Sequence, residues 1–311
     1  MAKQLALVIP TYGRSKTVDK LLREMIAEAY ALDVEIYYSD DTLDDSVEIV
    51  VREVSKHYPN VHYRRNTPSL GHDQNIIDSL LWPETDFVWL IGDSIRPRIS
   101  ELDNVLSFLR DQDFIFLNRL AGAEKNINFV AQPEIRNFVR EKLWNQTLTG
   151  ATIYGRRVRD FVRQHDFKKL PNFPHLSVIL EYATIQYPAI GWISNVSIEY
   201  SQKPSSYWED RALEVFVDDW ARVIEAYPLI VPHDKLYTTL RSHSRNTNIF
   251  SLRRMLSLRS KGIFGTSAML RPYFWQVMHL NPLIIRAVAM MPSYLACNIL
   301  SLEQWIKTRV S

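Results

Sequence analysis

Three short apolar runs near the start of the chain each stop at residues able to handle a nucleotide. Leu5–Ile9 leads through Pro10 to Thr11, Tyr12, Gly13 and Arg14. Val34–Ser39 runs into Asp40 and Asp41, and Phe87–Ile91 into Gly92, Asp93 and Ser94. A tyrosine ring stacks on a nucleobase, a threonine hydroxyl hydrogen-bonds it, and a carboxylate accepts from a base N–H. A guanidinium brings charge to a diphosphate. Thr11, Tyr12, Arg14 and Asp40 therefore suit a nucleoside-diphosphate sugar.

These residues work together only if the fold gathers the ends of the apolar runs. Between the runs lie helical patterns: Leu21, Leu22, Met25, Ile26 and Ala29, then Val47, Val50, Val51 and Val54, then Ile76, Ile77, Leu80 and Leu81. Val61–Arg65 and Asp113–Leu117 read as further strands, and Ser100-Glu101 opens another helix. Strands alternating with helices make βαβ units, whose ligands sit at the carboxyl ends of the strands. The expected class is α/β, a doubly wound, mostly parallel sheet. Beyond residue 120 the pattern predicts a strand over Thr149–Tyr154, a helix over Arg156–Gln164, a strand over Gly191–Tyr200 and a helix over Trp208–Tyr227. No linker or repeat interrupts it. The expected organisation is one domain over 1–250, with a nucleotide half (1–120) and an acceptor half (121–250), followed by a helical, basic amphipathic region over 251–311.

The net charge of +2 is unevenly spread. From Ser251 onward eight Lys/Arg face the single acid Glu303, a surplus of +7 that leaves −5 for the rest. Such a tail calls for an anionic surface. No nucleic-acid reading motif accompanies it, so a membrane is the expected partner and nucleic acid is not. Val277–Leu300 is apolar, but Arg286, Pro282 and Pro292 oppose a spanning helix and suit an interfacial one. A helical cap over a core is the competing reading of the same stretch. One cysteine, Cys297, excludes an intrachain disulfide. Met1-Ala-Lys-Gln passes straight into a strand, which places the expected site of action in the cytoplasm, peripheral at the inner face of the membrane.

The ordered set Val8-Ile-Pro-Thr-Tyr-Gly-Arg14, Tyr38-Ser-Asp-Asp41, Leu70-Gly71 through Asn75, and Leu90-Ile-Gly-Asp-Ser94 resembles the family 2 glycosyltransferases of GT-A fold. Thr149-Gly-Ala-Thr-Ile-Tyr-Gly-Arg-Arg157 resembles the strand and Arg-Arg turn that follow in that family. Abequosyltransferase-like members, which add a sugar to O-antigen repeats, are neighbours in this reading. The resemblance implies sugar transfer from a nucleoside-diphosphate donor to a hydroxyl of a glycan or lipid-linked glycan in bacterial surface polysaccharide synthesis. It also implies a divalent cation, Mg or Mn, bound at the place of Asp93. The family carries Asp-x-Asp there, whereas this chain has Asp93-Ser94-Ile95. His243 is the candidate to complete the metal shell. Asp73 and Asn75 are candidate donor contacts, with Asp73 equally suited to capping a helix.

Inverting members place a carboxylate base about twenty residues beyond the Arg-Arg turn, often in a Glu-Asp pair. That distance falls at His175, whose side chain has a suitable intrinsic pKa. The literal pair, Glu209-Asp210, comes later. Inversion is the expected course, although a retaining enzyme would need no such base. Two other readings compete. A sugar-nucleotide nucleotidyltransferase would want a glycine-rich phosphate loop, and residues 10–14 hold one glycine. A degenerate domain that binds sugar nucleotides or a partner without turnover rests on the missing second carboxylate.

Overall fold

The computed structural model describes residues 4–97, 105–106, 110–118, 127–129, 134–166, 170–193, 198–200 and 208–310. The chain divides into two compact units, Met1–Pro204 and Ser205–Ser311.

In the first unit, β1 (Leu5–Thr11), β2 (Glu35–Asp40), β3 (Val61–Arg65) and β4 (Phe87–Leu90) run parallel. The helices between them are α1 (Ser15–Leu32), α2 (Ser46–Ser55) and α3 (His72–Leu81). β5 (Ile95–Pro97) follows β4, and β6 (Phe114–Leu117), β7 (Ile127–Phe129), β8 (Thr152–Gly155), β9 (Ile190–Ile193) and β10 (Ile198–Tyr200) complete the strands. The eight-stranded sheet has the order β3-β2-β1-β4-β8-β6-β9-β7, and β5 pairs with β10 separately. β8 is antiparallel to both β4 and β6. This is the expected α/β class, with antiparallel strands worked into the far half.

The period of each element explains its burial. Leu5, Leu7 and Ile9 share one face of β1 and pack with Leu21, Leu22 and Met25 of α1 and Val47, Val51 and Val54 of α2. Each such side chain, fully buried, contributes about 1.5–3 kcal/mol relative to exposure. The order 3-2-1-4 has a functional consequence. From β1 the chain moves outward to β2 and β3, then crosses back to lay β4 on the other side of β1. The β1/β4 boundary is therefore a topological switch point, where the connections diverge and leave a crevice at the carboxyl edge.

Helices α4 (Ile135–Gln146), α5 (Arg156–Gln164) and α6 (Pro174–Ile185) complete the described part of this unit. The second unit begins with a π-helical stretch, Glu214–Asp219, that runs into α7 (Trp220–Glu225). It continues through α8 (His233–Thr247), α9 (Leu252–Ser260), α10 (Phe274–Val277), α11 (Pro282–Met290) and α12 (Ser293–Val310).

Several sequence expectations shift. Thr149–Ala151 is a 3-10 turn before β8. There the Gly150 carbonyl accepts from the Trp89 indole at 2.8 Å, which bends the chain away from the ladder. The expected strand Gly191–Tyr200 becomes β9 and β10 in different sheets. The helix expected from Ser100-Glu101 lies outside the described residues. The division after Pro204 falls inside the stretch expected as one domain over 1–250, and within the second unit α8 is bound to the tail beyond residue 250. The Ser244 hydroxyl donates to the Val277 carbonyl at 2.5 Å, and Arg241 donates to the Trp275 carbonyl at 3.3 Å.

Candidate functional site

The carboxyl ends of β1, β2 and β4 converge as expected, and the convergence is made of specific bonds. The Thr11 hydroxyl donates to Asp93 Oδ2 at 3.2 Å. The Arg14 guanidinium donates to Asp93 Oδ1 at 2.8 Å. Asp41 N–H donates to the Thr11 carbonyl, and Gly13 N–H to the Thr42 hydroxyl at 2.7 Å. Gly13 takes φ +64°, a conformation that costs a side-chain-bearing residue about 1–2 kcal/mol. Past this turn Tyr12 stands 59% exposed at the mouth, its ring free to stack on a planar ligand. Thr11, Tyr12, Arg14 and Asp93 thus lie together at the β1/β4 switch point.

Asp93 is 8% exposed. Burial raises its pKa, the Arg14 and Thr11 bonds and the His72 charge oppose that rise, and burial prevails. The His72 charge thus acts on this carboxylate, a neighbour the sequence had not singled out for Asp93. The hydroxyl of Tyr38 is buried without a partner, its pKa pushed up by burial and then by the Asp93 charge.

Asp40 is placed differently from its expected role at a nucleobase. It is fully buried, with Oδ1 accepting from Thr42 N–H at 2.8 Å and Oδ2 from the Tyr63 hydroxyl at 2.7 Å. Asp41, which sequence reasoning passed over, accepts from four donors: Asn66 Nδ2 (2.7 Å), the Ser69 hydroxyl (3.0 Å), Leu70 N–H (3.2 Å) and Gly71 N–H (2.7 Å). It fixes the loop that delivers α3, and Gly71 makes the turn with φ +78°. Asn75, a candidate donor contact, is buried in the same network. Its Oδ1 accepts from the Ser39 hydroxyl at 2.7 Å, and its Nδ2 donates to the Ser39 carbonyl at 3.1 Å. Its polar groups are spent on scaffolding. The repeated carboxylate at the β2 end was the available signal for Asp41, since two adjacent strand residues point to opposite faces.

Asp73, in the first turn of α3, bonds His72 Nδ1 at 2.7 Å and accepts from Asn172 N–H at 3.1 Å. It thereby ties the segment before α6 to the start of α3. His175 follows in the first turn of α6 but is 2% exposed, enclosed by the protein. Helix α6 is buried nearly all round, through Leu176, Val178, Ile179, Leu180 and Ala183, so its first turn is carried into the interior. Burial, then the His72 charge, lower the His175 pKa to about 4, partly offset by the backbone of Thr147 and Gln146. The expected base is a neutral core histidine.

The Arg-Arg turn also lies away from the crevice. Gly155 pairs with Phe87, the first residue of β4, whereas Asp93 lies past the last. Arg156 donates to the Glu84 carbonyl at 2.6 Å and Arg157 to Asp113 at 2.8 Å. Buried Arg159 donates to the carbonyls of Pro83 and Thr85. Arg156 and Arg159 clamp the entry to β4, and Arg157 the entry to β6.

The remaining candidates belong to the second unit. Glu209 is ion-paired with Lys261 at 3.3 Å and Arg254 at 3.9 Å, and Asp210 is exposed. His243 is buried in α8, its ring stacked on Phe216 at 5.1 Å and tilted against Trp220 at 5.2 Å. It packs as an aromatic, and the expected metal role is not built around it. Among the described residues no group of three or more metal-ligating side chains comes together. A Mg ion, however, is commonly held by one or two carboxylates with substrate phosphates supplying further oxygens. Asp93 fits that reduced requirement as a single carboxylate.

Residues 6–162 match the family described as glycosyl transferase family 2. The chain belongs to this family. The matched segment spans the β1/β4 crevice and ends within α5. Abequosyltransferase RfbV of Salmonella typhimurium is 31% identical to this chain over 116 residues, 36% of this chain and 34% of that protein. The chain thus matches about a third of the length of that curated relative. Among solved structures, S. aureus TarS 1–349 in complex with UDP is similar at 17% identity and TM-score 0.53, covering 98% of this chain and 91% of that one. A mannosyltransferase from Pyrobaculum calidifontis, in complex with GDP-Man and Mn2+, aligns at 15% identity and TM-score 0.54, covering 97% and 88%. At these identities the likeness is one of fold, and the fold of this family 2 glycosyltransferase is the GT-A fold expected from the sequence.

Proposed function

We propose that this glycosyltransferase moves a sugar from a nucleoside-diphosphate donor to a hydroxyl of a glycan acceptor, lipid-linked, in the synthesis of a bacterial surface polysaccharide of O-antigen type. The observation that carries the donor half is the Thr11–Arg14–Asp93 cluster at the switch point, with Tyr12 exposed at its mouth. The acceptor half draws its support from the likeness to an abequosyltransferase.

In the reaction the acceptor hydroxyl oxygen bonds to the anomeric carbon and releases its proton to solvent, as the bond from that carbon to the diphosphate breaks and the diphosphate leaves with the electron pair. Negative charge grows on the departing diphosphate. Arg14, already oriented by Asp93, presents its guanidinium to that charge, and fixed donors of this kind stabilise it without reorganising. Asp93 would hold a divalent cation, Mg or Mn, which when bound neutralises the diphosphate. Tyr12 stacks the base. Asp41 and Asn75 hold the surrounding loops rigid.

The test is calorimetry with nucleoside diphosphates and the purified chain. Arg14→Ala should weaken binding by about 1.5–3 kcal/mol, the worth of a hydrogen bond to a charged group. Tyr12→Ala should cost about 1–3 kcal/mol, the worth of one base on one aromatic ring. Unchanged affinity in both variants would remove the crevice as the donor site.

A further inference from the structure

The second unit leaves much of its apolar surface uncovered. In α12, Ala296 is buried and Glu303 pairs with Arg253 of α9 at 3.0 Å, so this side faces inward. On other sides of the helix, Leu295, Ile299, Leu302 and Ile306 are all exposed. Their spacing of four, three and four residues makes one continuous stripe. Exposed Tyr294 and Trp305 flank it. In α11, Ile285, Val288 and Ala289 are buried while Leu283 and Met290 are exposed. No single helix among the described residues is long and apolar enough to span a bilayer, and α11 meets the body of α12 at 110°.

Charge lies beside these apolar faces. An open cavity of 510 Å3 is lined by Tyr237, Arg241, Trp275, Met278 and Arg286. Arg286 is exposed on α11, one turn from both Leu283 and Met290, with its guanidinium 5.6 Å from the Trp275 ring. The Arg241 guanidinium lies 4.2 Å from the Tyr237 ring, and its Nε is buried without a partner. No carboxylate pairs with either arginine among the described residues. Arg309 stacks on Trp305 at 4.1 Å.

We propose that the exposed faces of α11 and α12 dock into an anionic lipid leaflet, with Arg286 and Arg241 receiving headgroup phosphates at the cavity. Apolar stripes, interface-favouring aromatics and basic side chains together describe a helix lying in a membrane surface. A second copy is the poorer occupant, because two tails of +7 each would be brought together. The proposal stands on the second unit alone, and its failure leaves the donor site untouched.

The full chain is sedimented with vesicles of phosphatidylcholine, with and without phosphatidylglycerol. Binding is expected to the anionic vesicles and to weaken with added salt. Leu302→Glu with Ile306→Glu should lower partitioning at least tenfold, since both side chains lose their place in the leaflet. Arg286→Gln should lower it about fivefold on anionic vesicles and leave neutral ones unaffected. All three positions are exposed, so thermal melting and nucleotide binding should match the parent. Failure of the parent to sediment with anionic vesicles, or equal sedimentation of parent and variants, overturns the proposal. So does a dimer, seen by light scattering, that the double substitution dissolves.

Discussion

Replacing Asp41 tests whether the donor crevice depends on a carboxylate that touches no ligand. Asp41 is 3% exposed and accepts four hydrogen bonds, two from side chains and two from backbone N–H groups. In Asp41→Ala, Ser69 can turn to water because it is exposed, and Asn66 can do so in part. The Leu70 and Gly71 amides have no such freedom, since the turn holds them toward the vacated space. A hydrogen bond to a charged group is worth about 1.5–3 kcal/mol, so two of them put the loss at about 3–6 kcal/mol. That is a large share of a total stability of about 5–15 kcal/mol. Asp41→Asn keeps one acceptor oxygen and turns an NH2 toward the other donor pair, so it should fall between alanine and the parent. Urea unfolding should show the midpoint moving with little change in slope, and hydrogen exchange at Leu70 and Gly71 should accelerate. A loss below about 1 kcal/mol for Asp41→Ala, or an asparagine variant as damaged as the alanine one, would refute the claim that these bonds hold the loop.

The buried His175 makes a pH prediction. Its folded pKa of about 4 lies below the unfolded value of about 6.5, so the unfolded state takes up a proton first on acidification. Its contribution to stability is full above the unfolded pKa and is lost as pH falls toward the folded one, a change of about 3 kcal/mol at 1.36 kcal/mol per unit. Unfolding midpoints measured across this window should slope more steeply in the parent than in His175→Gln, and equal slopes would place His175 in water. For Asp93, Asp93→Ala should abolish transfer in a chain that still folds, and chelator should abolish transfer by the parent. Because burial raises its pKa and the cation needs the ionised form, metal-dependent donor binding should fail at a higher pH than it would for a solvent-exposed carboxylate. Full transfer in excess chelator would separate Asp93 from any metal.

The sequence by itself determined the local elements and their order. Val61–Arg65 and Arg156–Gln164 are recovered to the residue, the helix because its amphipathic face is written in a period of 3.6. It also placed Thr11, Arg14 and Asp93 at strand ends that a parallel sheet must bring to one edge. Burial was not legible, because it depends on what packs against an element from elsewhere in the chain. His175 has the chemistry of a base, yet α6 is enclosed on nearly every side, and that decided its fate. Asp40 and Asn75 have donor-binding chemistry, yet Tyr63, Thr42 and Ser39 reach their polar atoms first. Asp41 became the organiser of a loop thirty residues away only because β2 and β3 lie side by side. Which polar groups remain free for a ligand is what is left after the protein's own partners are satisfied, and that remainder exists only in three dimensions.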